Sequence, residues 1–257
     1  MKEQLYTIPL MDAFRADDEC PFCYIERDVE RNALDFVLGQ DASYMQDHVR
    51  METDRIGFCR KHYEKMFTYG ETLANALILE TRMKFLMKEM KEELKNYSVS
   101  GKIGLKDKLL KDVSSTKDNN NVSRWVHQKE ESCYICNHIK RNYDRYVATF
   151  FYLYKKGEPE FLDLIKNGKG MCLHHFADIM DAAPLYLNKK ELETLSDILF
   201  KQMESNMERV LEDIEWLEKK FDYLYKDAEW KNSRDAVQRA MQKITGGYPA
   251  DPPYRSR

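Results

Sequence analysis

One spacing pattern constrains this chain of 257 residues more than any other feature. A Cys-x-x-Cys pair is followed by Cys-x-x-His, and the same order returns 113 residues later, as the step from Cys20 to Cys133 illustrates. The glycine two residues before the third cysteine, Gly57 or Gly170, repeats in the same register. Matches at this many positions indicate an internal repeat, and the sequence therefore predicts a tandem duplication.

The pattern accounts for every cysteine in the chain and predicts two metal sites. Three thiolates and one imidazole are a common tetrahedral ligand set for structural zinc, and four protein ligands leave no open position for catalysis. We therefore expect two zinc ions per chain, one in each half. The predicted ligands are Cys20, Cys23, Cys59 and His62 in the first half and Cys133, Cys136, Cys172 and His175 in the second.

Other interpretations of these cysteines remain open. A dithiol redox motif accounts for the Cys-x-x-Cys pairs, but it leaves Cys-x-x-His unexplained and lacks the βαβ context of such motifs. An iron–sulfur cluster with three cysteines and one histidine is also compatible with the spacing. Cysteines that only fill a core have no reason to repeat at fixed intervals. In the second half two histidines are adjacent, and the repeat register selects His175 over His174.

Apolar residues recur every three or four positions along two long segments, which predicts amphipathic helices. The first set is Ala76, Leu79, Met83, Leu86, Met90 and Leu94. The second set is Leu192, Leu195, Leu199, Met203, Val210, Ile214, Leu217 and Phe221. No convincing alternating strand pattern accompanies them. The predicted fold class is all-α, with two helical halves in which a Cys₃His site joins helix starts.

Helix lengths suggest how each half could close its own site. A helix over residues 23–39, followed by a return helix over residues 42–56, would bring Cys59 and His62 back beside the Cys20 pair. The second half is expected to follow the same path with a shorter return segment. In both halves Cys-x-x-His is then expected to open one long third helix.

Changes in composition along the chain predict four segments. Residues 1–97 form the first metal-binding half, and residues 122–246 form the second. Between them, residues 98–121 are polar and rich in turn formers, which is typical of a linker. Residues 247–257 begin with the second of two consecutive glycines and contain three prolines, which predicts a flexible tail. The two halves are expected to pack as one pseudo-symmetric body.

Charge and hydropathy bear on the choice of partner. The net charge of −3 and the lack of a basic stripe give no support to nucleic-acid binding. No apolar run approaches the roughly 20 residues that a membrane span requires. The first residues lack an apolar signal segment, so we expect the cytosol, where paired cysteines more often hold metals than form disulfides. The expected partner is another protein.

The residues around the first ligands also carry a resemblance. Ile8-Pro9-Leu10, Ala13-Phe14, Glu19-Cys20-Pro21-Phe22-Cys23 and Gly57-Phe58-Cys59-Arg60-Lys61-His62 occur in that order. With them the chain resembles an uncharacterised bacterial family that is filed as a domain of unknown function. The resemblance covers most of the chain, including the second pair of motifs. It implies metal binding and no particular reaction.

Three functions are compatible with these features. The favoured one is a zinc-stabilised, all-helical scaffold or interaction protein without enzymatic activity. The second is a thiol-based redox sensor in which oxidation ejects zinc. The third is a metalloenzyme in which one histidine is not a ligand and water completes an open zinc site.

Overall fold

The computed structural model describes residues 4–39, 43–99 and 120–247, and the regular structure in these ranges is helical. The predicted all-α class is confirmed, since the β-type pairing within the described ranges is a single bridge between Val99 and Asn120. The helices are α1 (Gln4–Arg15), α2 (Pro21–Leu38), α3 (Asp47–Ile56), α4 (Arg60–Tyr69), α5 (Thr72–Lys95), α6 (Asn121–Glu131), α7 (Tyr134–Lys156), α8 (Pro159–Asn167), α9 (Leu173–Tyr186), α10 (Lys189–Lys219) and α11 (Ala236–Thr245), and Ser43–Met45 form a 3₁₀ turn. None of the described helices combines the length and the apolar content that crossing a membrane requires.

The chain divides into two compact units whose boundaries differ from those of the predicted halves. Of the described residues, unit 1 comprises 4–29 and 139–247, and unit 2 comprises 30–39, 43–99 and 120–138. The chain leaves unit 1 within α2 and re-enters it within α7. Each unit therefore contains the Cys-x-x-Cys of one predicted half and the Cys-x-x-His of the other.

Unit 1 has an aromatic core beside its ligand residues. The rings of Phe14, Phe22, Phe150 and Phe161 lie with centroids 5.1–6.0 Å apart. Tilted and edge-to-face arrangements of this kind are the favoured ones for aromatic pairs. The ring of Phe22 also lies 5.8 Å from that of His175. Core packing thus helps to hold this histidine in place.

Unit 2 is organised around α5, against which α3, α4 and α6 pack. The buried guanidinium of Arg82 on α5 donates to the carbonyl oxygens of Asp54 and Arg55 at the end of α3. Gly57, with a φ of +76°, follows directly and passes so close that a Cβ atom there would lie 2.6 Å from Arg82. Both the positive φ and the contact require glycine at this position.

The prediction of one long third helix in each half is wrong. The first half has α4 and α5 in its place, and the second half has α9 and α10. The first break is at Gly70, whose φ of +96° ends α4 in a left-handed conformation. The second is at Leu187, which is extended and precedes a capping box between Asn188 and Glu191. Phe221 was predicted to lie on the apolar face of the last long helix, but it lies beyond the end of α10 and is 84% exposed.

Most of the predicted linker and tail lies outside the described residues. The helix after the linker, α6, begins at Asn121 and is capped by the side chain of Asn120. Of the predicted tail, the structure describes only Gly247. The flexibility of both segments stays a prediction.

Candidate metal centres

Each of the four ligand motifs stands at the start of a helix. Cys20 and Cys133 immediately precede α2 and α7, and Cys59 and Cys172 are the N-cap residues of α4 and α9. Pro21 occupies the first position of α2, where a missing N–H has no cost. The free N–H groups and the positive dipole end of a helix N-terminus favour thiolate over thiol. The position of these cysteines therefore prepares them for metal binding.

The structure brings all eight predicted ligands into two groups of four, but the grouping differs from the predicted one. The buried cluster, within unit 1, consists of Cys20, Cys23, Cys172 and His175. The surface cluster, within unit 2, consists of Cys59, His62, Cys133 and Cys136. The prediction that each sequence half closes its own site is wrong, because each Cys-x-x-Cys meets the Cys-x-x-His of the other half.

Hydrogen bonds and helix length explain this exchange in unit 2. The N–H of Tyr134 donates to the carbonyl of Gly57 at 2.8 Å, and the hydroxyl of Ser132 donates to the carbonyl of Ile56 at 2.6 Å. These bonds join the segments that carry the two ligand pairs. In addition, α3 has 10 residues and rises about 15 Å, whereas α2 has 18 residues and rises about 27 Å. The return helix is therefore too short to bring Cys59 back along the whole of α2.

In the buried cluster the ligand atoms have the spacing of a tetrahedral metal site. The sulfurs of Cys20, Cys23 and Cys172 lie 3.3, 3.4 and 3.2 Å from Nδ1 of His175. The Cys23 and Cys172 sulfurs are 3.7 Å apart. Zinc bonds of about 2.3 Å to sulfur and about 2.0–2.1 Å to nitrogen separate tetrahedral ligand atoms by about 3.5–3.8 Å. The sulfur–sulfur distance lies in this range, and the three sulfur–nitrogen distances are about 0.1–0.3 Å shorter. These four residues, each at most 1% exposed, are therefore grouped closely enough to hold a structural zinc ion after a small outward adjustment of the ligands.

The surface cluster has nearly the same geometry in a more open setting. The sulfurs of Cys59, Cys133 and Cys136 lie 3.2, 3.2 and 3.4 Å from Nδ1 of His62. The Cys59 and Cys136 sulfurs are 3.9 Å apart. Cys136 is exposed and Cys59 is partly exposed, whereas Cys133 and His62 are buried. This ligand set also fits zinc, but solvent can reach one side of it.

The second nitrogen of each ligand histidine faces a carboxylate on α2. Nε2 of His62 lies 3.0 Å from Oε1 of Glu30, and Nε2 of His175 lies 3.3 Å from Oε2 of Glu26. Burial acts to raise the pKa of Glu30, but His62 and Lys65 outweigh it and lower that pKa to about 2. A carboxylate in this position fixes the ring so that Nδ1 points at the metal. Sequence reasoning missed both residues, although Glu26 and Glu30 follow Cys23 at helical spacing.

In each cluster the pKa of one thiol is lowered by its neighbours. Burial acts to raise the pKa of Cys133, but hydrogen bonds from His62 and from the backbone of Cys136 outweigh it and lower that pKa to about 6. Burial acts against the charged form of His62, yet Cys133 and Glu30 raise its pKa to about 9. In the buried cluster, hydrogen bonds from Cys20 and Cys23 lower the pKa of Cys172. Each cluster thus favours one thiolate, the form of sulfur that binds metals.

The end of α11 completes the surroundings of the buried cluster. The backbone N–H of Gly247 donates to the sulfur of Cys23 at 3.2 Å. A Cβ atom on Gly246, whose φ is +73°, would lie 3.2 Å from the sulfur of Cys172. The sequence predicted that Gly247 belongs to the tail, and neither glycine was among the predicted site residues. Their contacts link the C-terminal helix to the ligands.

Lys243 on α11 holds the two ligand segments of the buried cluster together. Its ammonium group is 1% exposed and donates to the carbonyl of Glu19 at 2.6 Å and to the carbonyl of Lys169. Glu19 directly precedes Cys20, and Lys169 lies three residues before Cys172. Sequence analysis missed this residue as well, because a single lysine near the end of a polar helix carries no recognisable signal.

The adjacent histidines of the second half provide a direct test of the ligand assignment. Nδ1 of His175 lies among the three sulfurs, whereas the side chain of His174 is 63% exposed and lies 3.7 Å from Asp178. We expect His175→Ala to lose one of two zinc ions and His174→Ala to lose none, as measured by elemental analysis after gel filtration. Retention of both ions by His175→Ala would assign the fourth ligand elsewhere.

A family model described as "Family of unknown function (DUF6062)" matches residues 1–251, which include all eight cluster residues. Comparison with curated proteins and with solved structures finds no match.

Proposed function

The chain belongs to this family of unknown function, and we propose that it is a zinc-stabilised helical scaffold or interaction protein of the bacterial cytosol. The observation that carries the proposal is the closure of both ligand sets. Each cluster offers three sulfurs and one imidazole nitrogen within tetrahedral spacing, so a bound zinc ion has no position left for a substrate or a reactive water.

The setting of the clusters also favours a structural role over catalysis. The buried cluster lies among core side chains, where a substrate has no access. A cavity of about 1180 Å³ lies elsewhere in unit 1, lined by residues such as Tyr6, Arg145, Tyr152 and Leu185 and by none of the cluster residues. A metalloenzyme with an open zinc site is therefore the least supported of the three functions.

Zinc in these positions would cross-link segments that are distant in the sequence. Cys23 and Cys172 are 149 residues apart, and His62 and Cys133 are 71 residues apart. Such ligands meet only in the folded chain, so the free energy of metal binding becomes free energy of folding. In a scaffold, this fixes the helix surfaces that partners recognise.

We further propose that the chain arose by tandem duplication. The helices α2 and α7 begin 113 residues apart, and so do α4 and α9. The register-matched glycines, Gly57 and Gly170, have φ values of +76° and +77°. Nearly equal φ values and helix starts at equal spacing support two copies of one structural unit, although the copies exchange their ligand pairs.

Elemental analysis tests the central proposal. Protein purified without added metal is expected to contain two equivalents of zinc per chain and to lose helicity when a strong chelator removes them. Circular dichroism at 222 nm measures the helicity of the same samples. A metal content near zero together with full helicity would rule out the zinc-stabilised scaffold. Iron with visible absorbance would instead favour an iron–sulfur protein.

The exposed sulfur of Cys136 favours the redox sensor as the second candidate function. Thiolates that solvent can reach are the ones that oxidants attack first. Hydrogen peroxide would take two electrons from two thiolates of the surface cluster and two protons from solvent, forming one disulfide and two molecules of water, and the site would lose its zinc.

Under mild peroxide we therefore expect one zinc ion to be released before the other. A colorimetric zinc indicator follows the release, and peptide mass spectrometry identifies the oxidised cysteines. The buried cluster of the same molecule is the internal control. Reversible loss of the surface-cluster zinc with loosening of unit 2 would support the sensor, and simultaneous release of both ions would contradict the difference in access.

A further inference from the structure

Helix α5 exposes much of the apolar stripe whose periodicity predicted an amphipathic helix. The stripe consists of residues that are 39–60% exposed, and these are Leu79, Met83, Met87, Met90 and Leu94. The residues of α5 that unit 2 does bury are Ala74, Ile78 and Arg82. At about 100° per residue the two sets lie on opposite sides of the helix. The outer side of α5 is therefore apolar without a covering element among the described residues.

The spacing of the stripe is that of a helix that pairs with another helix. The steps from Leu79 to Met83, to the half-buried Leu86 and then to Met90 are four, three and four residues. This alternation places apolar side chains at the a and d positions of a heptad. From Leu79 to Leu94 the stripe is about 23 Å long at 1.5 Å per residue.

We propose that the α5 stripe is the interface of a homodimer, in which α5 of a second copy packs against it. A heptad stripe is complementary to itself, so one patch on each copy suffices when a two-fold axis relates them. The proposal concerns a surface that contains no ligand residue, and the argument for it does not use the zinc-stabilised scaffold.

The size of the stripe is appropriate for such an interface. Five large apolar side chains that are about half exposed leave on the order of 400 Å² of apolar surface, which is more than scattered single residues contribute on a monomer. Two copies, together with the polar residues beside the stripe, reach the roughly 1,000 Å² that a specific interface requires.

The charges beside the stripe are compatible with a second copy. The ammonium of Lys84 pairs with Glu80 at 2.6 Å, and that of Lys95 pairs with Glu92 at 2.8 Å, both within one helix. These intrahelical pairs lie along one side of the stripe, together with the exposed Lys88 and Lys91, and give that side the polar border that interfaces typically have. Because each pair is neutral, it does not repel its equivalent on another copy.

Sedimentation velocity on the full chain between about 1 and 100 µM tests the proposal. The wild type is expected to have twice the chain mass of 30.6 kDa at the upper concentrations. Met83→Glu combined with Met90→Glu should weaken self-association at least about 100-fold, because four carboxylates would enter an apolar interface. The control is Met51→Glu on α3, which replaces a 72% exposed methionine outside the stripe and should leave the dimer unchanged.

Cross-linking of the unaltered protein provides the second measurement, which does not depend on the folding of variants. A mixture of ¹⁴N- and ¹⁵N-labelled chains is treated with an amine-reactive cross-linker and analysed by mass spectrometry. Mixed-isotope cross-links among Lys84, Lys88 and Lys91 of two copies are expected. A monomer at 100 µM, or intermolecular cross-links confined to other surfaces, would overturn the proposal. The stripe would then be a surface for a different protein.

Discussion

Replacement of Cys59 by serine is expected to release one zinc ion and to make Cys133 and Cys136 reactive towards an alkylating reagent. These two cysteines belong to the other sequence half, but they share the surface cluster with Cys59. If each half closed its own site, the same substitution would instead expose Cys20 and Cys23. The identity of the newly reactive cysteines therefore distinguishes the two arrangements.

The expected loss of stability is large. Structural zinc at neutral pH contributes on the order of 10 kcal/mol to folding, and a domain is typically stable by about 5–15 kcal/mol. Even a loss of about 5 kcal/mol would lower the melting temperature by about 10–20 °C in a protein of this size. The oxygen of serine is a much poorer zinc ligand than thiolate, so the remaining three groups of the cluster cannot retain the ion tightly.

Pulsed alkylation followed by peptide mass spectrometry measures this outcome directly. The matched variant is Cys20→Ser, which removes one ligand of the buried cluster and should expose Cys23 and Cys172 while Cys133 stays protected. Each variant thus serves as the control for the other. Protection of Cys133 and Cys136 in Cys59→Ser would show that the ligands are grouped by sequence half.

The local part of the site was predictable from the sequence, because it depends on residues close to one another in the chain. Cysteine pairs at i and i+3, glycine before Cys59 and proline after Cys20 indicate helix starts that present two ligands each. The same reasoning could have placed the break before α10, since Asn188 and Glu191 have the spacing of a capping box. The end of α4 was likewise predictable, because the glycine at position 70 is typical of a helix C-terminus.

The pairing of the motifs was not predictable, because it depends on contacts between distant segments. The hydrogen bond from the N–H of Tyr134 to the carbonyl of Gly57 joins residues that are 77 positions apart. It uses backbone atoms only, so the residue types at these positions do not reveal it. Periodicity was also insufficient for α5, where it located an apolar face correctly but could not state what covers it. An apolar stripe shows that a surface is suited to burial, and tertiary structure decides whether the same chain buries it.

The second large effect is expected at Lys243, the buried lysine that joins the ligand segments of unit 1. Besides the carbonyls of Glu19 and Lys169, its ammonium group lies 3.2 Å from the carboxylate of Glu19, which is itself 2% exposed. Burial lowers the pKa of Lys243, and Glu19 acts against that shift. Arg209, at 2.5 Å from Glu19, is a second partner of the carboxylate.

Lys243→Met keeps most of the aliphatic stem and removes the charge and all three donors. It removes the donor to two carbonyls and leaves the buried carboxylate of Glu19 with Arg209 at hydrogen-bonding distance and with Arg239 and Lys169 only at 3.8 and 3.9 Å. Loss of one member of a buried pair typically costs about 3–5 kcal/mol, and we expect a decrease of that size in the free energy of unfolding. A decrease of the melting temperature by about 6–20 °C corresponds to it.

The metal supplies a second readout that a general loss of stability would not produce. Because Lys243 fixes the segments before Cys20 and Cys172, its removal should speed the transfer of zinc from the buried cluster to a competing chelator, while release from the surface cluster stays unchanged. The control is Lys189→Met, which replaces a lysine of the same unit whose side chain is 91% exposed. Equal acceleration at both clusters would mean that Lys243 stabilises the fold without positioning the ligands, and a melting temperature equal to that of Lys189→Met would show that the buried lysine has no structural role.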